Sequence, residues 1–219
     1  MATRIIHLLS AAVLVLGAAN AAIIPSFVGM SNVGGGVFTY SYDIYVDSPN
    51  SQIQSSTTPG PSGVPAGGYD NHFTLFDFNG YITGSASCAG SSAGSGFCSG
   101  FNLTTANTGP TAFAQAPPDN AGIVNLTWVY NNSAMVIPAG SYLGRISANS
   151  SSGTQGAIYF SGQSTTSSGP LAGTVNGNTV ITIGPAAGSV SAIPEPATMM
   201  LMGFGLISLA LVHRKYSRG

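Results

Sequence analysis

The middle of this sequence predicts an all-β fold, an antiparallel sandwich or jelly-roll, with an N-terminal signal helix before it and a single transmembrane helix after it. Three observations carry that prediction. Short runs of β-branched and aromatic residues alternate with polar ones at period two. Asn-Gly pairs and Gly/Pro clusters separate the runs. No stretch between Ala22 and Ile193 has the apolar period of an amphipathic helix. The Thr/Ser/Gly content would also suit a β-solenoid, but no fixed repeat is present.

Taken in chain order, residues 1–21 read as a secretory signal peptide. Arg4 precedes an apolar run from Leu8 to Ala18, and Ala19-Asn20-Ala21 supplies a small-x-small cleavage site. The run is too short to span a bilayer comfortably, which takes about 20 residues. Cleavage is expected after Ala21, with Ala22 as a near alternative, so everything downstream is exported.

Residues 22–184 form the expected β domain. In Val37–Asp47, the residues Phe38, Tyr40, Tyr42, Ile44 and Val46 alternate with Thr39, Ser41, Asp43, Tyr45 and Asp47. That is one apolar and one solvent face of a half-buried strand. Ser48–Gly68, with Pro49, Pro59, Pro61 and Pro65, reads as a long exposed loop. Phe73–Phe78 and Tyr81–Thr83 flank Asn79-Gly80, which signals a hairpin with a type I′ turn. Ile123–Tyr130 puts Val124, Leu126, Trp128 and Tyr130 on one face. Ala134–Ile137, Tyr142–Ala148 and Gly156–Ser161 are shorter candidate strands. Thr174-Val175 and Thr179–Ile183 surround a second turn signal, Asn176-Gly177-Asn178. Residues 185–193 are expected to be a flexible stalk.

Cys88 and Cys98 are the two cysteines, and both lie in the exported part. An even count in an oxidising compartment predicts a disulfide. Closing so small a ring contributes about 2–3 kcal/mol.

The C-terminus, residues 194–218, has three parts in order. Pro194-Glu195-Pro196 is followed by the apolar stretch Ala197–Val212 and by a basic tail, 213–218, that holds Arg214, Lys215 and Arg218. A helix over 197–212 reaches about 24 Å, slightly short of a bilayer core, and the basic residues can snorkel to the interface. The positive-inside rule keeps the tail cytoplasmic and turns the middle of the chain outward.

This combination resembles the PEP-CTERM sorting signal, over Ile193–Arg218. The resemblance implies processing by an exosortase, a membrane-embedded transpeptidase-like enzyme of Gram-negative bacteria that make exopolysaccharide. Pro194, Glu195 and Pro196 are then recognised and not catalytic. The same C-terminal region is also catalogued as an ice-binding-protein C-terminal domain, a label that does not by itself establish ice binding. The implied route runs from the inner membrane to the cell surface or extracellular matrix, with polysaccharide as a partner and a role in biofilm or floc formation.

Composition excludes more than it assigns. Charged residues make up 5% of the chain, where about 25% is usual. The exported part holds Asp43, Asp47, Asp70, Asp77 and Asp119 against Arg145 alone, a balance of −4. Nucleic-acid binding needs a basic footprint, so it is excluded. His72 is the one histidine there and reads as a loop residue making one hydrogen bond. No nucleophile elbow supports a triad around it, and the acids form no obvious glycosidase pair. The chain is therefore expected not to be an enzyme and to need no cofactor.

Calcium is the one ion considered. Asp70, Asn71, Asp77, Asn79 and Asp119 supply oxygens, though without the spacing of a calcium loop. Asn102, Asn125, Asn131 and Asn149 fit the N-glycosylation pattern at a density that chance explains in a chain so rich in Asn, Ser and Thr. What remains is a hydroxyl- and amide-rich surface able to hydrogen-bond polysaccharide, with Tyr45 placed by alternation to stack on sugar rings. The leading expectation is an exported structural or interaction protein. The alternative is a carbohydrate-, ice- or calcium-binding module on a plain membrane anchor.

Overall fold

The computed structural model describes residues 22–47, 49–55, 70–169 and 172–186. Within them the chain is all-β and antiparallel, with one 3₁₀ turn at Cys98–Gly100. The strands are β1 (Ile23–Gly34), β2 (Val37–Val46), β3 (Ser51–Gln52), β4 (His72–Leu75), β5 (Ser87–Ala89), β6 (Phe101–Ala106), β7 (Asn125–Tyr130), β8 (Tyr142–Ser150), β9 (Gln155–Thr166) and β10 (Val175–Pro185). One sheet has the order β1-β2-β8-β5 and the other the order β10-β9-β4-β7-β6, with β3 on the end of β9.

The inner faces of the two sheets share a single core. Tyr40, Tyr42, Ile44 and Val46 of β2 are all buried, as their alternation predicts. Ile146 and Ala148 stand beside them on β8. The second sheet contributes Phe73 and Leu75, Leu126, Trp128 and Tyr130, and Ile158 and Phe160. Phe73 is the hub, stacking on Trp128 at 5.4 Å and on Phe160 at 5.8 Å between ring centroids. Aromatic pairs at this spacing add to the area they bury.

Two turn predictions need correction. Gly80 has a φ of 66°, but Asn79 is not in the positive region, so the turn is not type I′. Nor does it close a hairpin: β4 ends at Leu75, and Tyr81 bridges to Ser150 of β8. The break comes at Asp77, whose φ of 53° redirects the chain between Phe76 and Phe78, both fully buried. The segment therefore crosses from one sheet to the other. The type I′ turn lies instead at Gly35-Gly36, with φ of 63° and 76°, between β1 and β2.

Asn176-Gly177-Asn178 does not turn either; it lies inside β10, in unbroken register with Ser164, Gln163 and Gly162 of β9. The Asn178 side chain accepts from the backbone N–H groups of Ala22 and Ile23 and donates to the Ile23 carbonyl. Gly177 lies against Phe113, where a Cβ would come within 2.5 Å of the Phe113 carbonyl oxygen. Both residues are explained by packing.

Other boundaries shift. In Ala134–Ile137 only Ile137 pairs, bridging to Ile53 by two 2.9 Å backbone bonds. The long loop from Ser48 begins with β3, and Ser51, Ile53 and Ser55 are buried; residues 56–69 lie outside the described ones. At the other end β10 runs through Pro185, and the Ala186 N–H bonds the Thr154 carbonyl, so the fold continues two residues into the predicted stalk. The signal peptide, the rest of the stalk and the C-terminal segment lie outside the described residues. Among the described residues no helix is long and apolar enough to cross a membrane.

Candidate functional site

The two outer faces of the sandwich are finished differently. A segment over residues 107–124 straps the outer face of the second sheet, so its polar side chains are buried. Thr74 donates to the Pro110 carbonyl and bonds Thr127. The backbone N–H of Ala112 bonds the Ser161 hydroxyl, and that of Phe113 the Gln163 side-chain carbonyl. Gln115 donates to the Gly177 carbonyl at the edge.

On the first sheet, polar side chains pair across β2 and β8 instead. Thr39 donates to Asn149 at 2.7 Å, and Ser41 bonds Ser147 at 2.8 Å. Asp43 stands directly opposite Arg145. The guanidinium grips the carboxylate through Nε at 2.9 Å and Nη2 at 2.7 Å, a bidentate fork. The Tyr142 hydroxyl donates to Asp43 Oδ1 and is itself bonded by the Ser91 hydroxyl, extending the chain of bonds. Tyr45 lies beside Tyr142, with ring centroids 5.3 Å apart at 49°. Arg145 is the only Lys or Arg among the described residues. Its hydrogen bonds hold the Asp43 carboxyl below the ordinary range, against burial, which acts the other way. Burial, then the Asp43 charge, pushes the Tyr142 phenol up.

Asp43 thus lies on the predicted solvent face but is not free there: it is buried under Arg145 and Tyr142. Tyr45 is half-buried and tilted against a second tyrosine. The Ser/Thr rows on this face are interrupted by the ion pair and the tyrosines, unlike a flat threonine array. Sequence reasoning did not single out Arg145 or Tyr142 as partners in this cluster. The available signal was that one strand carries the only base of the exported part, needing a carboxylate across the sheet.

Beneath this face the Cys88–Cys98 disulfide is formed, with Cα atoms 5.3 Å apart. It ties β5 to the 3₁₀ turn before β6 and rests on Gly144 of β8. A Cβ there would fall 2.2 Å from Cys98 Sγ and 3.0 Å from Cys88 Sγ. Gly144 is a strand glycine placed for a close approach.

The remaining candidate groups are dispersed. His72 is not in a loop but opens β4 in the middle of the second sheet. Its Nδ1 lies 3.0 Å from the Asp70 carbonyl, as the single bond expected, while Nε2 is buried with no protein partner. Burial lowers its pKa below the ordinary value. Of the calcium candidates, Asp77 and Asp119 come together with Asn125. The Asn120 N–H bonds Asp77 Oδ1, Asn125 donates to Asp119, and the Asp77 N–H bonds the Asn125 side-chain oxygen. Burial, with Asp119 nearby, raises the Asp77 carboxyl. Asn71 is elsewhere, bonded to Thr165 and the Gln54 N–H. Asn79 reaches the Ala186 carbonyl. Among the described residues no three His, Cys, Asp or Glu side chains cluster as metal ligands. Of the glycosylation-pattern asparagines, Asn125 is fully buried, and Asn149 is bonded to Thr39.

Residues 192–215 match the PEP-CTERM protein-sorting motif. The match takes in Pro194, Glu195 and Pro196 together with Arg214 and Lys215, and ends before Arg218. The motif marks an exported protein that is sorted by an exosortase at the membrane. No curated protein matches the chain.

Proposed function

We propose that this chain is a structural or interaction protein of the cell surface or exopolysaccharide matrix of a Gram-negative bacterium, supporting biofilm or floc formation. The apolar segment 197–212 holds it at the inner membrane until an exosortase-like enzyme cuts or transfers it near Pro194-Glu195-Pro196. Arg214, Lys215 and Arg218 act as the cytoplasmic stop. The observation that carries this reading is the order of parts: a disulfide-bonded β domain described through Ala186, then a sorting motif beginning at residue 192.

The domain's part is binding and not catalysis. Four of its titratable groups are engaged in holding the fold: Asp43 by Arg145, Asp77 by the Asn120 backbone amide, Asp119 by the Asn125 side chain, His72 by a backbone carbonyl. The outer face of the first sheet supports a polysaccharide partner. It combines hydroxyls, amides and a tyrosine pair with an ion pair that leaves the patch electrically balanced.

One fractionation tests this reading. Matrix polysaccharide, medium and membranes are separated from native cells, and the chain in each is sized by intact mass and terminal-peptide mass spectrometry. The expected result is a chain starting near Ala22, lacking residues beyond the PEP region, and enriched in the polysaccharide fraction. A chain found only in membranes and still ending at Gly219 refutes the processing.

A further inference from the structure

Sheet edges present unpaired N–H and C=O groups, and proteins blunt them with charge, proline or bulges. The edge strand β1 follows that rule. It contains Pro25, and its register with β2 slips between Phe27 and Gly29 and again between Asn32 and Gly34. β5 and β6 are short, at 3 and 6 residues. β10 does the opposite. It is 11 residues long and pairs with β9 at every one of them without a slip. It carries no charged residue and no proline before its last position. Among the described residues no strand pairs with its other edge. Side-chain or loop bonds reach it near its two ends, at Gly177 from Gln115 and at Pro185 from Asn79.

Beside this edge lies an exposed apolar strip. Ile181 is 55% exposed and Ile183 43%. With Ala157, Gly156 and Gln155 they line an open groove of about 320 Å³. We propose that β10 is a self-association edge, and that its occupant is β10 of a second copy, paired antiparallel about a two-fold axis near Ile181.

Two arguments select a second copy. The first is charge. The described residues carry five Asp against one Arg, so two copies repel over most of their surface. Neither β9 nor β10 holds any of those charges, which makes this edge a neutral line of approach. The second is self-complementarity. Antiparallel pairing centred on Ile181 sets each Ile181 against its own copy and Thr179 against Ile183, so apolar and β-branched side chains meet across the new pair. One added strand pair buries less than the ~1,200 Å² at the low end of stable interfaces. The association is therefore weak and reversible in solution and gains strength when many copies are displayed together. The inference rests on the β domain alone and does not depend on the sorting reading.

The test uses the chain as its own cells export it, with residues beyond the β domain in place and the disulfide intact. Sedimentation velocity over a range of concentrations is expected to show monomer in exchange with dimer. The double variant Ile181→Lys/Ile183→Lys places charge on exposed positions outside the core, and it should weaken that association about ten-fold or more. Val28→Lys/Val33→Lys, also at exposed positions, should leave it unchanged. Ile181→Cys should give a symmetric disulfide-linked dimer on mild oxidation, and Val33→Cys should not. A wild-type chain that stays monomeric at every concentration overturns the proposal. So does association that survives the Ile181/Ile183 variant, which points to the C-terminal segment, or a monomeric chain whose Tm falls in that variant, which points to another part of the same chain on the edge.

Discussion

Replacing Gly144 by alanine should be among the most damaging single-methyl changes this domain can suffer. Two costs combine. Gly144 has a φ of 146°, a conformation that L side chains rarely adopt, and holding alanine there costs about 1–3 kcal/mol. The new methyl would also sit 2.2 Å from Cys98 Sγ, 3.0 Å from Cys88 Sγ and 3.2 Å from the Ala89 carbonyl oxygen. The sulfurs are pinned by their bond and cannot rotate aside, so overpacking adds about 1–3 kcal/mol. The total, about 2–6 kcal/mol, is a large share of the 5–15 kcal/mol typical of a domain. Urea denaturation of the oxidised chain measures it as a lowered midpoint at constant slope. The same substitution in a Cys88→Ala/Cys98→Ala background keeps the backbone strain and loses the sulfur clash. Its cost should then shrink by about 1–3 kcal/mol, a coupling that a double-mutant cycle isolates. A Gly144→Ala cost below about 1 kcal/mol in the oxidised chain, or an identical cost with both sulfurs gone, would refute the close-approach argument.

Two pH effects follow from the buried groups. Arg145 holds the folded Asp43 carboxyl below its unfolded value, so the pair's contribution is complete above pH 4 and is lost as pH falls through and below that value. Arg145 is 31% exposed, so the contribution is at most about 1 kcal/mol. Asp43→Asn should flatten that acid limb in thermal melts, and an unchanged limb would count against the pair. His72 has the opposite charge type with the same outcome in acid. Its folded pKa is lowered by burial, so the unfolded chain takes up the proton first and stability falls as pH drops below about 6.5. His72→Leu should abolish the slope between pH 6.5 and 5, at a cost at pH 8 of about 1 kcal/mol for the lost bond to the Asp70 carbonyl. A slope that persists in the leucine variant would place the titrating group elsewhere.

Alternation in the sequence says which side of a strand is apolar, and it said so correctly for β2 and β7. It does not say what lies on the other side. Thr74, Thr127, Ser161 and Gln163 are polar and face away from the core, yet all four are buried because the 107–124 segment crosses over them. That segment carries Pro110, Pro117 and Pro118, and no strand alternation marks it as part of the fold. β1 was missed because Pro25, Gly29 and Gly34 punctuate it, and those residues are compatible with a strand only at a bulged edge. Asn-Gly misled twice. At Asn79 the chain was switching sheets, and at Asn176 the small residues were serving neighbours: Gly177 clears Phe113, and Asn178 ties down Ile23. The disulfide was legible because two cysteines allow only one pairing, but Gly144, which makes room for it, sits 46 residues beyond Cys98 and carries no local mark.

Scarcity of charge links the fold to the proposed assembly. A protein with 5% charged residues has few Lys or Glu side chains to spend on its edges. β1 is blunted by backbone devices instead: one proline, two register slips and a glycine turn. The single base of the described domain is committed to Asp43, across the two inner strands of the first sheet. β10 receives neither charge nor bulge, and its isoleucines stay exposed. Protecting that edge would have been chemically simple, since Ile181 and Ile183 make no demand on the core and either could be lysine. Its unguarded state in a chain sorted to the cell exterior is coherent if the edge is used. At the proposed cell-surface or matrix location, display of many copies would raise the local concentration that a weak edge-to-edge contact needs.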